Sequence, residues 1–498
     1  MTNRKNSVVY SLVIILTILV SACSATASSG DANTDVSMPA DGQAMMPEGT
    51  PGAQRPDGEA PADQAPAAVT SSEAAATATI APTATPDEES TEEISELNIN
   101  AVLSVAKKTF NKTDEDIVST EDDTSGALIT NEGNLTIGNI SVTTSGDTSS
   151  VNNSARYGQN AAVLSKERST LKVLYGSVTT TGKGATGVFA TKEVTTATVL
   201  EETIATSGDY ARGVMVTELA SMTVTDSDIT TSGYKSPAIA TGVRGGSITV
   251  EGGSAKTSGT SSAAVYSTGE INVSGTTLEA EASPVAAIEG AGSISLTDVD
   301  ATSGVNDGGA VQFYPSSSDK VESGVGSFNM EGGSLTASGS NGALFYIADA
   351  EGVVELKDVT VSAASGTLIK AEALTSNKYS TGGVLTVSAE GQSLIGDLVV
   401  DAASSVTLNL SDGSSLTGAV SPTNVGRVVN ISLDESSTWT VTADSYLTKL
   451  DDADGISDSD VTNIIGNGYT VYYNKNANVY LRGRIYNLSG GGYLKPLN

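Results

Sequence analysis

A short phrase, Thr-Ser-Gly or a close variant, punctuates this chain with its glycine at positions 146, 182, 208, 233, 259, 304, 339 and 366. Most intervals are about 25 residues, 146–182 and 304–339 are about ten longer, and 259–304 holds a degenerate copy around Glu281-Ala282-Ser283-Pro284. A fixed period of this size means that each unit is too small to bury its own apolar face and must stack on its neighbours. Every unit has the same internal order. A small apolar run comes first, as in Gly187-Val188-Phe189-Ala190 and Gly213-Val214-Met215-Val216. An alternating strand follows, as in Leu171-Lys172-Val173, Met222-Thr223-Val224 and Ile248-Thr249-Val250. A third short strand, such as Asp228-Ile229-Thr230, closes on the tripeptide. Period-two alternation puts one face in and one face out. Three such strands per unit, with no helical period, predict an all-β chain wound as a right-handed parallel β-helix. About 12 coils at about 4.8 Å each make it roughly 55–60 Å long. Glycines are expected at corners that need positive φ. A β-propeller would need longer blades with their own aromatic signature, and a Greek-key sandwich would not hold one apolar pattern in register for so long.

Composition agrees with a narrow solenoid core. Aromatics are 4% of residues and Trp occurs once, so the interior must be built from small and β-branched side chains. The net charge of −32 opposes nucleic-acid phosphates and self-association, predicting no nucleic-acid partner and a monomer. With no histidine in the chain, Ser-His-Asp and Cys-His catalysis and the usual zinc and iron ligand sets are excluded.

Residues 1–22 have the parts of an export signal: Arg4 and Lys5, an apolar run from Val8 to Val20, then Ser21-Ala22. That run is too short to span a bilayer stably. The sole cysteine, Cys23, follows at once, and Val20-Ser21-Ala22-Cys23 resembles the bacterial lipobox. The resemblance implies cleavage before Cys23, acylation of its thiol and attachment to a membrane. Residues 23–95 are rich in Ala, Pro, Ser, Thr and acidic side chains and are expected to be a disordered spacer.

Coils are expected to continue to 435 through Val384-Leu385-Thr386-Val387, Val406-Thr407-Leu408 and Val429-Asn430-Ile431, with 436–498 forming final rungs and a cap. The stretch from Ser437 through Trp439 and Tyr446 to Leu450 resembles the C-terminal rungs of pertactin-like autotransporter passengers. With Tyr469–Tyr473 and Gly490-Gly491-Gly492-Tyr493 it is similar to exported bacterial β-helix proteins described as adhesin-like, implying a pectin-lyase-like solenoid. With no translocator barrel after residue 498 of this sequence, the lipobox is expected to take over the role of surface attachment. Trp439 is read as a cap or core residue.

Candidate chemistry is sparse. Asp226 with Asp228, and Asp298 with Asp300, are spaced to project from one strand face, the minimum for glycosidic acid–base work. They fall just after the middle strand, where solvated turn residues are the simpler reading. Asp451, Asp452, Asp454, Asp458 and Asp460 offer hard oxygen ligands for calcium, but without EF-hand spacing, and an acidic solvated loop is favoured. Thr144, Thr206, Thr231, Thr257 and Thr302 are candidates for a threonine ladder on one flank. No catalytic residue, metal ligand or cofactor is assigned. The expectation is a non-enzymatic, exported surface lipoprotein, held to a membrane through Cys23 and presenting an adhesin-like solenoid to glycans or surface proteins. The alternative is a carboxylate-based polysaccharide lyase or glycoside hydrolase.

Overall fold

The computed structural model describes residues 97–374 and 380–497. The signal, Cys23 and the spacer to residue 95 lie outside the described residues. The body is a parallel β-solenoid of about 16 turns, more than the roughly 12 expected, because coils of about 25 residues stack all the way from residue 100 to residue 496. Twelve strands from Asn100–Ala106 to Asp397–Val400 form the first sheet. Fourteen from Thr109–Lys112 to Lys449–Asp451 form the second, and ten from Ile117–Ser119 to Thr360–Ala363 form the third. A nine-stranded sheet completes the C-terminal end.

Register is kept coil to coil. Thr196–Leu200 pairs residue for residue with Thr170–Leu174 below and Ser221–Thr225 above. The inward columns Leu171, Ala197, Met222, Ile248, Ile271 and Val173, Val199, Val224, Val250, Val273 therefore stack along the axis, all fully or nearly fully buried. Small and branched apolar side chains stacked on one another give a dense core without large rings.

The glycine of the tripeptide has a steric role. Gly182, Gly208, Gly233 and Gly259 lie outside the positive-φ region. A Cβ on any of them would stand 1.9 Å from the carbonyl oxygen of the glycine one coil below. Positive φ is instead used at the two-residue corner between the second and third sheets. Tyr175, Glu201, Asp226, Asp298 and Asp358 are left-handed there, in one column with Gly252, Gly275 and Gly332.

The threonine ladder is internal. Thr144, Thr180, Thr206, Thr231 and Thr257 point inward and are buried. Thr180, Thr206 and Thr231 donate to the carbonyls of Ala185, Ala211 and Ser236 at 2.6, 2.8 and 2.5 Å, bracing the turn into the next coil. Thr302 lies on the opposite, exposed face.

Both long insertions fold back over the outer face of the first sheet. The first carries helix α1 (Val151–Tyr157), capped by the Ser150 side chain on Asn153 N–H and ended by Gly158 at φ 74°. Ser154 donates to the Gly184 carbonyl at 2.5 Å, and Thr217 donates to the Arg156 carbonyl at 2.9 Å. Beside it Leu128, Leu164, Phe189, Met215 and Ala240 form a second apolar cluster outside the solenoid core. The second insertion, 315–324, lands on Glu289, which accepts from the backbone and hydroxyl of Ser317 at 2.8 and 2.6 Å. Its Lys320 carbonyl accepts from Arg244 N–H at 3.0 Å.

At the far end, Trp439 is fully buried and donates through Nε1 to the Gly418 carbonyl at 2.9 Å. An antiparallel hairpin, Tyr486–Ser489 with Tyr493–Pro496, closes the stack. The hydroxyls of Tyr473, Tyr480 and Tyr486 donate to the carbonyls of Arg484, Leu450 and Leu481, pairing acceptors that an open end would leave bare.

Candidate functional surface

The paired carboxylates have local duties. Asp226 and Asp298 occupy the left-handed corner, a conformation aspartate tolerates better than most residues. Asp228 and Asp300 begin the third-sheet strand and accept from the hydroxyls of Ser254 and Ser334, one coil further on, at 2.6 and 2.7 Å. All four are exposed. The spacing that looks like a catalytic pair follows from a two-residue corner.

The acidic loop divides. Asp451, Asp454, Asp458 and Asp460 are exposed, with Asp451 on Lys449 at 3.1 Å and Asp460 accepting from Asn487 at 2.9 Å. Asp452, read from sequence as solvated, is buried against Asn463. Among the described residues no three acidic or thiol side chains converge as a metal site.

Sequence reasoning missed two buried polar features. Glu202 stands in the inward column of the corner, where its neighbours are Gly176, Ser227, Gly253 and Thr276. A carboxylate among small residues was the available signal. Its Oε1 accepts from Gly176 N–H at 2.9 Å, its Oε2 has no partner, and burial pushes its pKa up to about 7. The other lies on the outward side of the first sheet, where Tyr266 donates to Glu289, the residue that also holds Ser317, and Tyr346 donates to Glu372 at 2.7 Å. Burial, with the neighbouring carboxylates, pushes both phenols far above their ordinary range.

Outside, the largest regular feature is the exposed face of the second sheet. One outward column runs Thr170, Thr196, Ser221, Ser247, Glu270, Ser293, Ser327, and its neighbour Lys172, Thr198, Thr223, Thr249, Asn272, Ser295, Asn329. Within these two columns only Lys172 and Glu270 carry charge, on a chain whose net charge is −32; the third outward column of the same face, from Leu174 through Thr225 and Thr297, adds Glu251 and Glu331. The side chains stand about 4.8 Å apart along the axis and about 6.6 Å apart along a strand. Each hydroxyl or amide both donates and accepts.

Round the corner, a shallow recess of about 340 Å³ on the third sheet is lined by Thr179, Thr230, Ser232, Lys256 and Glu281. A second, of about 400 Å³, lies between Pro315, Glu351, Thr381 and Arg427. In its wall Asp349 is occupied, accepting from the N–H groups of Thr381 and Gly382 at 3.1 and 3.0 Å. No protein-family model matches the chain, and no curated protein matches it.

Proposed function

We propose that this chain is a non-enzymatic surface lipoprotein whose solenoid makes adhesive contact with uncharged polysaccharide along the outer face of its second sheet. The observation that carries this reading is the pair of nearly charge-free Ser, Thr and Asn columns on a strongly acidic chain. Two adjoining columns with so little charge, offering donors and acceptors at every coil, suit a polymer of sugar hydroxyls. Single contacts of this kind are weak because water competes for them, and repetition along a chain supplies avidity. Attachment through Cys23, with the spacer carrying the solenoid clear of the membrane, is part of the same proposal and rests on the lipobox resemblance.

The test is retention on insoluble uncharged polysaccharides, using the full chain with Cys23→Ser to keep it in solution. Retention is expected to change little between low and high salt, because no ion pairs are involved. It is expected to fall when Thr198, Thr223 and Thr249 are together replaced by Glu. Undiminished retention by that triple variant sinks the face assignment. Release of reducing ends or unsaturated uronates during the incubation sinks the non-enzymatic reading.

A further inference from the structure

We propose that Asp452 and Asn463 form a proton-controlled latch on the C-terminal cap. Asp452 directly follows Lys449–Asp451, the last strand of the second sheet. Asn463 lies within Asp460–Ile465, the strand that pairs with Tyr486–Ser489 of the closing hairpin. The two residues are 1% and 8% exposed. Asn463 Nδ2 donates to Asp452 Oδ1 at 2.8 Å, which fixes the amide's orientation. The two remaining side-chain oxygens, Asp452 Oδ2 and Asn463 Oδ1, are both buried without a hydrogen-bond partner.

An ionised carboxylate and an amide oxygen are both acceptors only, so neither orphan satisfies the other. A proton on Oδ2 removes both defects at once. The acid O–H donates to Asn463 Oδ1 while the amide N–H donates to Asp452 Oδ1, a reciprocal acid–amide ring of two bonds. Gly455 closes the space over the pair, since a Cβ there would stand 2.1 Å from Asn463 Oδ1 and 2.4 Å from Asp452 Oδ1.

The ionisable groups acting on this carboxyl favour the proton. Asp451 and Asp454 are like charges, and the Tyr480 hydroxyl is given to the Leu450 carbonyl at 2.9 Å. Lys449, the cation on the adjoining strand, is held by Asp451. Burial raises the Asp452 pKa to about 6, against the Asn463 amide and the Gly455 N–H, which stabilise the anion. Ionisation leaves a buried anion with one oxygen unpaired, so the link between second sheet and hairpin strand weakens as pH rises.

Hydrogen exchange of the full Cys23→Ser chain, corrected for intrinsic rates, reads this directly. In segments 450–465 and 486–496 the opening constant is expected to rise about tenfold between pH 5 and 8, from a folded pKa of about 6 against an ordinary 3.8. Asp452→Asn retains an amide–amide ring of the same shape and is expected to stay closed at both values. Asn463→Leu removes both partners and is expected to open the segment at both values. A flat wild-type profile, or an open cap in Asp452→Asn at pH 5, overturns the latch. Restoration of wild-type protection at pH 8 by millimolar calcium also overturns it, because the orphan oxygens would then be cation ligands.

Discussion

Replacing Glu202 with Gln tests whether the solenoid interior is organised as described. Glu202 is 2% exposed. Its carboxylate bridges down to Gly176 N–H at 2.9 Å, its own N–H donates to Ser227 Oγ at 3.0 Å, and its Oε2 has no partner. In the folded protein burial raises its pKa to about 7, and in the unfolded chain it keeps its ordinary 4.5. Between these values the folded state binds more protons than the unfolded state. Stability is therefore fully present below about pH 4.5 and is lost as pH rises toward 7. At 1.36 kcal/mol per pKa unit the loss at pH 8 is about 3 kcal/mol. Gln keeps the acceptor for Gly176 and carries no charge. The variant should match wild type at about pH 4.5 and exceed it by up to about 3 kcal/mol at pH 8. A solenoid need not unfold in one step. The suitable assay is therefore hydrogen exchange resolved to residues 170–230, with denaturant unfolding followed by circular dichroism beside it. Wild-type protection that is flat from pH 4.5 to 8, or a variant weaker than wild type at pH 8, would refute the reasoning.

Four other outcomes are expected. Gly208→Ala should cost about 3 kcal/mol or more, because its Cβ would stand 1.9 Å from the Gly182 carbonyl oxygen, a backbone atom that cannot swing aside. Gly275→Ala, with φ of 58° and nothing within 4 Å, should cost only the left-handed penalty of about 1–2 kcal/mol; denaturant midpoints of the two separate clash from torsion. Thr206→Val should lose about 1–3 kcal/mol by leaving the buried Ala211 carbonyl without its donor, measured as the loss of protection in the flanking turn. Cys23→Ser should move the protein from the membrane to the soluble fraction on cell fractionation, and an unchanged distribution would remove the lipid anchor from the proposal.

Much of the fold was legible because a stacked coil repeats its demands in the sequence. The alternation Ile248-Thr249-Val250 states which side chains face inward, and a period of about 25 residues states which strand each one pairs with. The burial of Trp439 followed from the same logic, since a lone indole in a chain with so few rings has most to lose in water. Other features were misread because the sequence gives spacing without depth. Thr231 belongs to an internal ladder and Thr302 to the surface, although both precede Ser-Gly; a one-residue difference in strand register reverses the face. For Asp226 and Asp228 the preferred reading as solvated turn residues agrees with their exposed place at the corner, where one is held for its backbone torsion and the other for a serine in the next coil; what the sequence did not show is those two local duties.

By itself, then, the sequence determined the period, the strands and the inward columns. These are nearest-neighbour properties, and each coil carries enough apolar surface to specify its own seat. Only the tertiary structure decided where the insertions land, such as Ser317 on Glu289 and Lys320 on Arg244. It alone set the buried state of Glu202 and Asp452. Those outcomes depend on contacts between segments with no repeat relation, and on how completely water is excluded when the coils close. No local pattern encodes either.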